Sequence, residues 1–182
     1  MSSTNSDRPS LSTLTFIPYI SAEGTLPTDV EGKVGIYAIF DESQTLQFVG
    51  YSRNVLLSLK QHLIRCPTSC HWVKITTIDR PSRTILEEIQ TAWMNENGMM
   101  PPGNSTEHER WTQPIDAKAQ MTADEHAALE HAVGDLERTK QLKSIARRVE
   151  ADIHSQLTHR GLAEGIRFDP KMKEQGLLNV KP

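Results

Sequence analysis

The spacing of apolar residues changes period along this chain, and each change marks an element. Residues 35–40 (GIYAIF) are an apolar run of strand length, and residues 46–49 (LQFV) are a second. The polar stretch between them, Asp41-Glu42-Ser43-Gln44, predicts a hairpin turn. Past Gly50 the period lengthens: Val55, Leu56, Leu59 and Leu63 recur at helical spacing, so a helix is expected to start near Ser52. Pro67 cannot continue that helix. Residues 71–78 (HWVKITTI) alternate, with β-branched enrichment, and predict a third strand. Residues 79–82 supply a turn, with Ser82 as the N-cap of a helix over 83–96. That helix points Ile85, Leu86, Ile89, Ala92 and Trp93 toward a core and stops at Asn97-Gly98. Ahead of the hairpin, residues 14–20 (LTFIPYI) read as extended and broken by Pro18, and residues 21–32 as an acidic loop. The pattern predicts an α+β fold: a small three-stranded antiparallel sheet flanked by helices, followed by a C-terminal helical extension.

The extension opens at Thr122-Ala123-Asp124-Glu125, which fits a capping box, and its helical pattern continues to about His159. Leu129, Val133 and Leu136 make one apolar row; Leu142, Ile145, Val149, Ile153 and Leu157 make another. The phase slips between Glu137 and Gln141, which predicts a bend or two helices. The domain organisation expected is a disordered polar tail over residues 1–13, an α+β domain over 14–113, a helical extension over 114–160 and a C-terminal tail over 161–182. The last is ordered only where Leu162, Ile166 and Phe168 find a partner.

Composition narrows the classes. The 182 residues are enough to bury a core and carry an appendage. No run of about eighteen apolar residues occurs, so no membrane span is expected. Residues 1–13 lack the apolar centre of a secretory signal. Cys66 and Cys70 are too few for a disulfide framework or a complete zinc site, and read as ordinary thiols in a reducing, cytoplasmic location. The net charge is −3, and residues 1–113 carry nine Lys/Arg against twelve Asp/Glu, with eleven against eleven in the remainder. Any nucleic-acid contact therefore needs a local patch. Arg138, Lys140, Lys143, Arg147 and Arg148 form the best one; between Arg138 and Arg148 no acidic residue intervenes. They are candidate contacts for DNA or an acidic protein partner, although a solvated helix face has the same composition.

Gly35-Ile36-Tyr37, then Phe48-Val49-Gly50 after ten residues, then Ser52, Asn54 and His62, resemble the GIY-YIG nuclease family. The resemblance covers residues 33–104. It points to the cyanobacterial and chloroplast branch, which includes a module fused ahead of a plant monothiol glutaredoxin. LTFIPYI, LQFVG, SRN and, at residues 101–104, PPGN carry that part of it. It implies a metal-dependent DNA endonuclease using Mg²⁺ or Mn²⁺. By the same resemblance Tyr37 helps activate water, His62 and Asn104 stand around the phosphate, and a glutamate of a later helix holds the metal.

Three positions depart from the family pattern. Phe48 replaces its second tyrosine. Ser58 stands where an arginine is expected four residues before His62, leaving Arg53 or Arg65 to supply the cation. Ala92 stands at the glutamate position, leaving Glu88 and Glu96, one turn to either side, as metal ligands; Glu87 lies about 100° around the helix from Glu88. Apart from the resemblance, Tyr37 reads as a half-buried sheet aromatic, His62 and the glutamates as solvated helix residues, and Asn104 as a turn residue. Two functions follow: a metal-dependent DNA endonuclease of weak activity, or a catalytically degenerate module that binds nucleic acid or a protein. A third, redox regulation through Cys66 and Cys70, ranks last because the glutaredoxin active-site motif is missing.

Overall fold

Four strands, β1 (Ile17–Pro18), β2 (Gly35–Phe40), β3 (Leu46–Ser52) and β4 (Trp72–Thr77), make one antiparallel sheet in the order β1-β4-β2-β3. They come from a computed structural model that describes residues 8–80 and 82–182, and the chain divides into two compact units, Met1–Thr112 and Gln113–Pro182. The two apolar runs of the hairpin pair with Tyr37 opposite Gly50 and Ala38 opposite Val49. β2 is buried at all six positions because it is paired on both sides and covered on both faces. The expected third strand is β4, which joins the other side of β2 with Ile36 opposite Thr76. The sheet has a fourth strand as well: Ile17 and Pro18 pair with Val73 and Trp72 at its edge, a position that tolerates proline.

Helix α1 (Val55–Arg65) starts after Asn54, whose side chain accepts the Leu57 N–H at 3.3 Å, while Ser52 ends β3. Helix α2 (Arg83–Asn97) starts after Ser82, which accepts the Ile85 N–H, and ends at Gly98 in the left-handed conformation. Strand periodicity assigns each helix to a face. Ile36, Ala38, Phe40, Leu46 and Val49 form one cluster with Leu86, Ile89 and Trp93 of α2. Tyr37, between Ile36 and Ala38, points the other way, onto α1. The buried stripe of α2 is narrower than expected: Leu86, Ile89 and Trp93 are buried, whereas Ile85 is 37% exposed and Ala92 is exposed.

Residues 1–7 of the expected disordered tail lie outside the described residues. Residues 8–13 correct that expectation where the structure describes them. Leu11 is buried, Trp93 Nε1 donates to the Pro9 carbonyl at 2.9 Å, and Lys74 Nζ donates to the Leu11 carbonyl at 3.0 Å. Glu96 completes the tether by accepting from Ser10 Oγ, Leu11 N and Ser12 N at 2.6, 2.8 and 2.9 Å.

After α2 the chain makes a tight turn at Pro102–Asn104 and a short helix, α3 (His108–Thr112), which ends the first unit. The second unit pairs its first strand, β5 (Ile115–Asp116), with its last, β6 (Leu177–Leu178). Between them come α4 (Ala123–Glu130), α5 (Gly134–His159) and α6 (Pro170–Lys173). The Thr122/Glu125 capping box forms as its residues dictate. There are two helices, but the break falls at 131–133, before Gly134 with φ 81°, and α5 runs unbroken through 137–141. Leu129 is buried, whereas Val133 and Leu136 are 84% and 88% exposed, so the first apolar row is not a core row. Of the second row, Ile145, Val149, Ile153 and Leu157 are buried, as their spacing predicts, and Leu142 is half-buried. Ile166, Phe168, Leu178 and Val180 are buried too, so residues 161–182 are an ordered part of this unit.

Candidate functional site

β2 and α1 bring Tyr37 and His62 together: Tyr37 Oη and His62 Nε2 are hydrogen-bonded at 2.9 Å. Gly50 makes room for the tyrosine, since a Cβ there would lie 2.8 Å from Tyr37 Oη and 2.6 Å from the Phe48 ring. Phe48 covers His62 at 4.6 Å between ring centroids, and Trp111 of α3 stacks on Phe48 at 5.3 Å with the rings nearly parallel. The result is a sealed pair, Tyr37 3% and His62 4% exposed. Burial, reinforced by the Arg65 guanidinium, pushes the His62 imidazole down to about 3 against the opposing pull of the Trp111 carbonyl. Burial also pushes the Tyr37 hydroxyl well above its ordinary range, more than Ser58 and Arg65 lower it. At neutral pH both groups are uncharged. The pair can exchange one hydrogen bond but cannot place a positive charge against a phosphate.

Asn104 has a different task from meeting a phosphate. Its Oδ1 accepts the Val49 N–H and its Nδ2 donates to the Val49 carbonyl, each at 2.8 Å. The side chain thus pairs with β3 as a neighbouring strand would, closing the outer edge of the sheet. Gln90 Nε2 donates to the same carbonyl at 2.8 Å. Gly103 lets the turn approach, since a Cβ there would lie 2.7 Å from the Gln47 carbonyl oxygen.

The expected metal ligands are not at this pair. Glu88 and Glu96 belong to α2, on the opposite face of the sheet from Tyr37. Glu88 forms an ion pair with Arg8. Glu96 is engaged by the N-terminal segment, whose hydrogen bonds, led by that from Ser10, hold its carboxyl down at about 2. Glu87 accepts from Tyr51 Oη at 3.0 Å and from Arg83 Nε at 2.7 Å, again on the α2 side. Among the described residues no three His, Cys, Asp or Glu side chains are gathered in a way that could hold a metal ion. The donors present do not fit Mg²⁺ or Mn²⁺, which take several oxygen ligands including carboxylates.

The expected cations are dispersed as well. Arg53 is exposed at the N-terminal end of α1, whereas His62 lies in its last turn. Arg65, three residues after His62, donates from Nη1 to the Trp111 carbonyl at 2.9 Å and so ties α3 to α1. In the second unit Arg148 bridges α4 and α5: it donates to both Glu125 oxygens, to Asp152 and to the Gln120 carbonyl. That engagement removes Arg148 from the expected contact patch. Lys143 is paired with Glu174 at 3.0 Å, while Arg138, Lys140 and Arg147 are exposed. Cys66 and Cys70 are fully buried and not joined in a disulfide, and burial pushes the Cys66 thiol up to about 11, which makes it a poor nucleophile.

Trp111 and Gln90 were not legible as site residues in the sequence. Trp111 is a lone aromatic in a five-residue helix without apolar periodicity, and Gln90 is a polar residue on an amphipathic helix. Only the fold shows what each covers.

No model of a known protein family matches the chain. Over 76 residues it is 38% identical to the bifunctional monothiol glutaredoxin-S16, chloroplastic, of Arabidopsis thaliana. The match spans 40% of this chain and 26% of that protein, so the chain corresponds to about a quarter of its relative's length. Among the described residues no helix is long and apolar enough to cross a membrane.

Proposed function

We propose that the first unit is a GIY-YIG-type module whose catalytic position is closed, and that the protein works by binding, with nucleic acid or a protein as its partner. The observation that carries this is the sealed, uncharged Tyr37–His62 pair with the α2 carboxylates on the other side of the sheet. Phosphodiester hydrolysis needs an activated water, charge at the transferring phosphate and a group to stabilise the leaving oxygen. A neutral imidazole beneath Phe48 and Trp111 supplies none of these to a strand of DNA. The retained hydrogen bond and edge-closing asparagine instead suit a scaffold that keeps its shape. Two buried cysteines without a disulfide suit a reducing compartment, the cytoplasm or, by analogy with the chloroplastic relative, a plastid.

A nicking assay on supercoiled plasmid with Mg²⁺ or Mn²⁺ tests this. The wild type is expected to nick no faster than Tyr37→Phe or a Glu88→Ala/Glu96→Ala variant. Metal-dependent nicking that disappears in Tyr37→Phe would establish the weak endonuclease instead.

A further inference from the structure

The second unit has a concavity of about 300 Å³ between α5 and α6, lined by Lys143, Arg147, Pro170, Lys171, Lys173 and Glu174. Four of the six lining side chains are cationic. Glu174 holds Lys143 and Glu150 holds Lys173. Arg147 and Lys171 have no ion pair among the described residues, and both are exposed. Lys140, Lys143 and Arg147 are at i, i+3 and i+7, a stripe that rises about 10 Å along α5, centred about 130° around the helix from its buried row. A second concavity of about 340 Å³ shares Pro170 and is lined further by Glu150, Ile166, Arg167, Phe168 and Lys181. Its two cations share that lining with the Glu150 carboxylate and the buried Ile166 and Phe168, so the cationic groove proper is the one between α5 and α6.

We propose that this groove is a phosphate-backbone site for a double-stranded nucleic acid, bound by charge and shape without reading bases. The lining sets the class of partner. Protein interfaces centre on aromatic or large apolar anchors, and Pro170 is the sole apolar side chain of the lining. Single strands are held by bases stacked on aromatic rings, and the lining has none. A groove rich in Lys and Arg, with Arg147 and Lys171 left without an ion pair among the described residues, is what a duplex backbone takes, since its bases are already stacked and its phosphates present an evenly charged rail. Glu174 and Glu150 neutralise Lys143 and Lys173, which leaves Lys140, Arg147 and Lys171 for phosphates. The inference names the partner within the binding function proposed above, and it holds whether or not Tyr37 and His62 are inactive.

Fluorescence anisotropy of the whole chain with a labelled duplex DNA, without divalent metal, tests it. Binding is expected in the micromolar range at low salt, and log affinity should fall against log salt with a slope of about −3 for three unpaired cations. Arg147→Glu with Lys171→Glu should weaken binding at least tenfold while circular dichroism and thermal unfolding stay unchanged. Arg138→Ala, about 160° around α5 from Lys140, should leave it within about twofold. Full-strength binding by the Arg147/Lys171 variant would overturn the groove, as would salt-independent binding. Capture of a phosphoserine peptide with no duplex binding would assign the groove to a protein and equally overturn it. Metal-dependent nicking alongside groove-dependent binding would remove only the closed-site proposal.

Discussion

His62 shows how burial decides what a side chain can do. An imidazole in water titrates near 6.5, but at 4% exposure beneath Phe48 and Trp111 this one is pushed down to about 3. The unfolded chain therefore takes up the proton first as pH falls. His62 weakens folding progressively from about pH 6.5 down to about 3, and contributes no loss above that window. NMR of the imidazole is expected to show a neutral ring throughout pH 5 to 8; a midpoint between 6 and 7 would mean that the pair is open to solvent. Tyr37 and Asn104 make the same point. Both are legible in the sequence through the family resemblance, yet their partners, His62 Nε2 and the Val49 peptide, are set by packing.

α2 is the element whose role changed most between pattern and fold. Its caps and its Leu86/Ile89/Trp93 stripe follow from sequence, because both are local properties of a helix. The side of the sheet it covers is not local. By covering the Ile36/Ala38/Phe40 face it turns its carboxylates away from Tyr37, and Glu96 meets the N-terminal segment instead. Hydrogen bonds led by Ser10 hold Glu96 at about 2, below its ordinary 4.5, so the contribution of this tether is complete above about pH 4.5 and is lost as pH falls toward 2. Glu96→Gln is expected to be less stable than the wild type at pH 7, with the difference closing as pH approaches 2. Urea unfolding across that range measures the gap. A gap that stays constant with pH would mean that the charge on Glu96 does not hold the segment.

For the molecule as a whole, the two units divide the work. The first builds an antiparallel sheet around a sealed Tyr37–His62 pair, and the second gathers cations, Arg147 and Lys171 among them without an ion pair among the described residues, around a groove. Net charge, at −3, hides this division because acidic residues elsewhere cancel the basic ones. Tyr37→Phe is therefore expected to leave duplex affinity unchanged within about twofold, on the view that contact energy comes from phosphates at the groove. A tenfold loss in that variant, in protein shown to be folded, would place part of the nucleic-acid contact on the first unit.

Sequence by itself determined the hairpin, the two caps of α2, the capping box of α4 and the buried row of α5. Each depends on neighbours within a turn or two, so apolar spacing and a few capping residues suffice. Tertiary structure decided everything that depends on a face or an edge. Ile17–Pro18 became a strand because β4 had a free edge, and Asn104 became a strand partner because β3 had one. Val133 and Leu136 stayed in solvent although they continue an apolar row. Arg148 and Arg147, adjacent in sequence, point to opposite fates: one is consumed in binding α4 to α5, and the other is left facing the groove. A linear pattern states which residues share a face, but only packing states what that face meets.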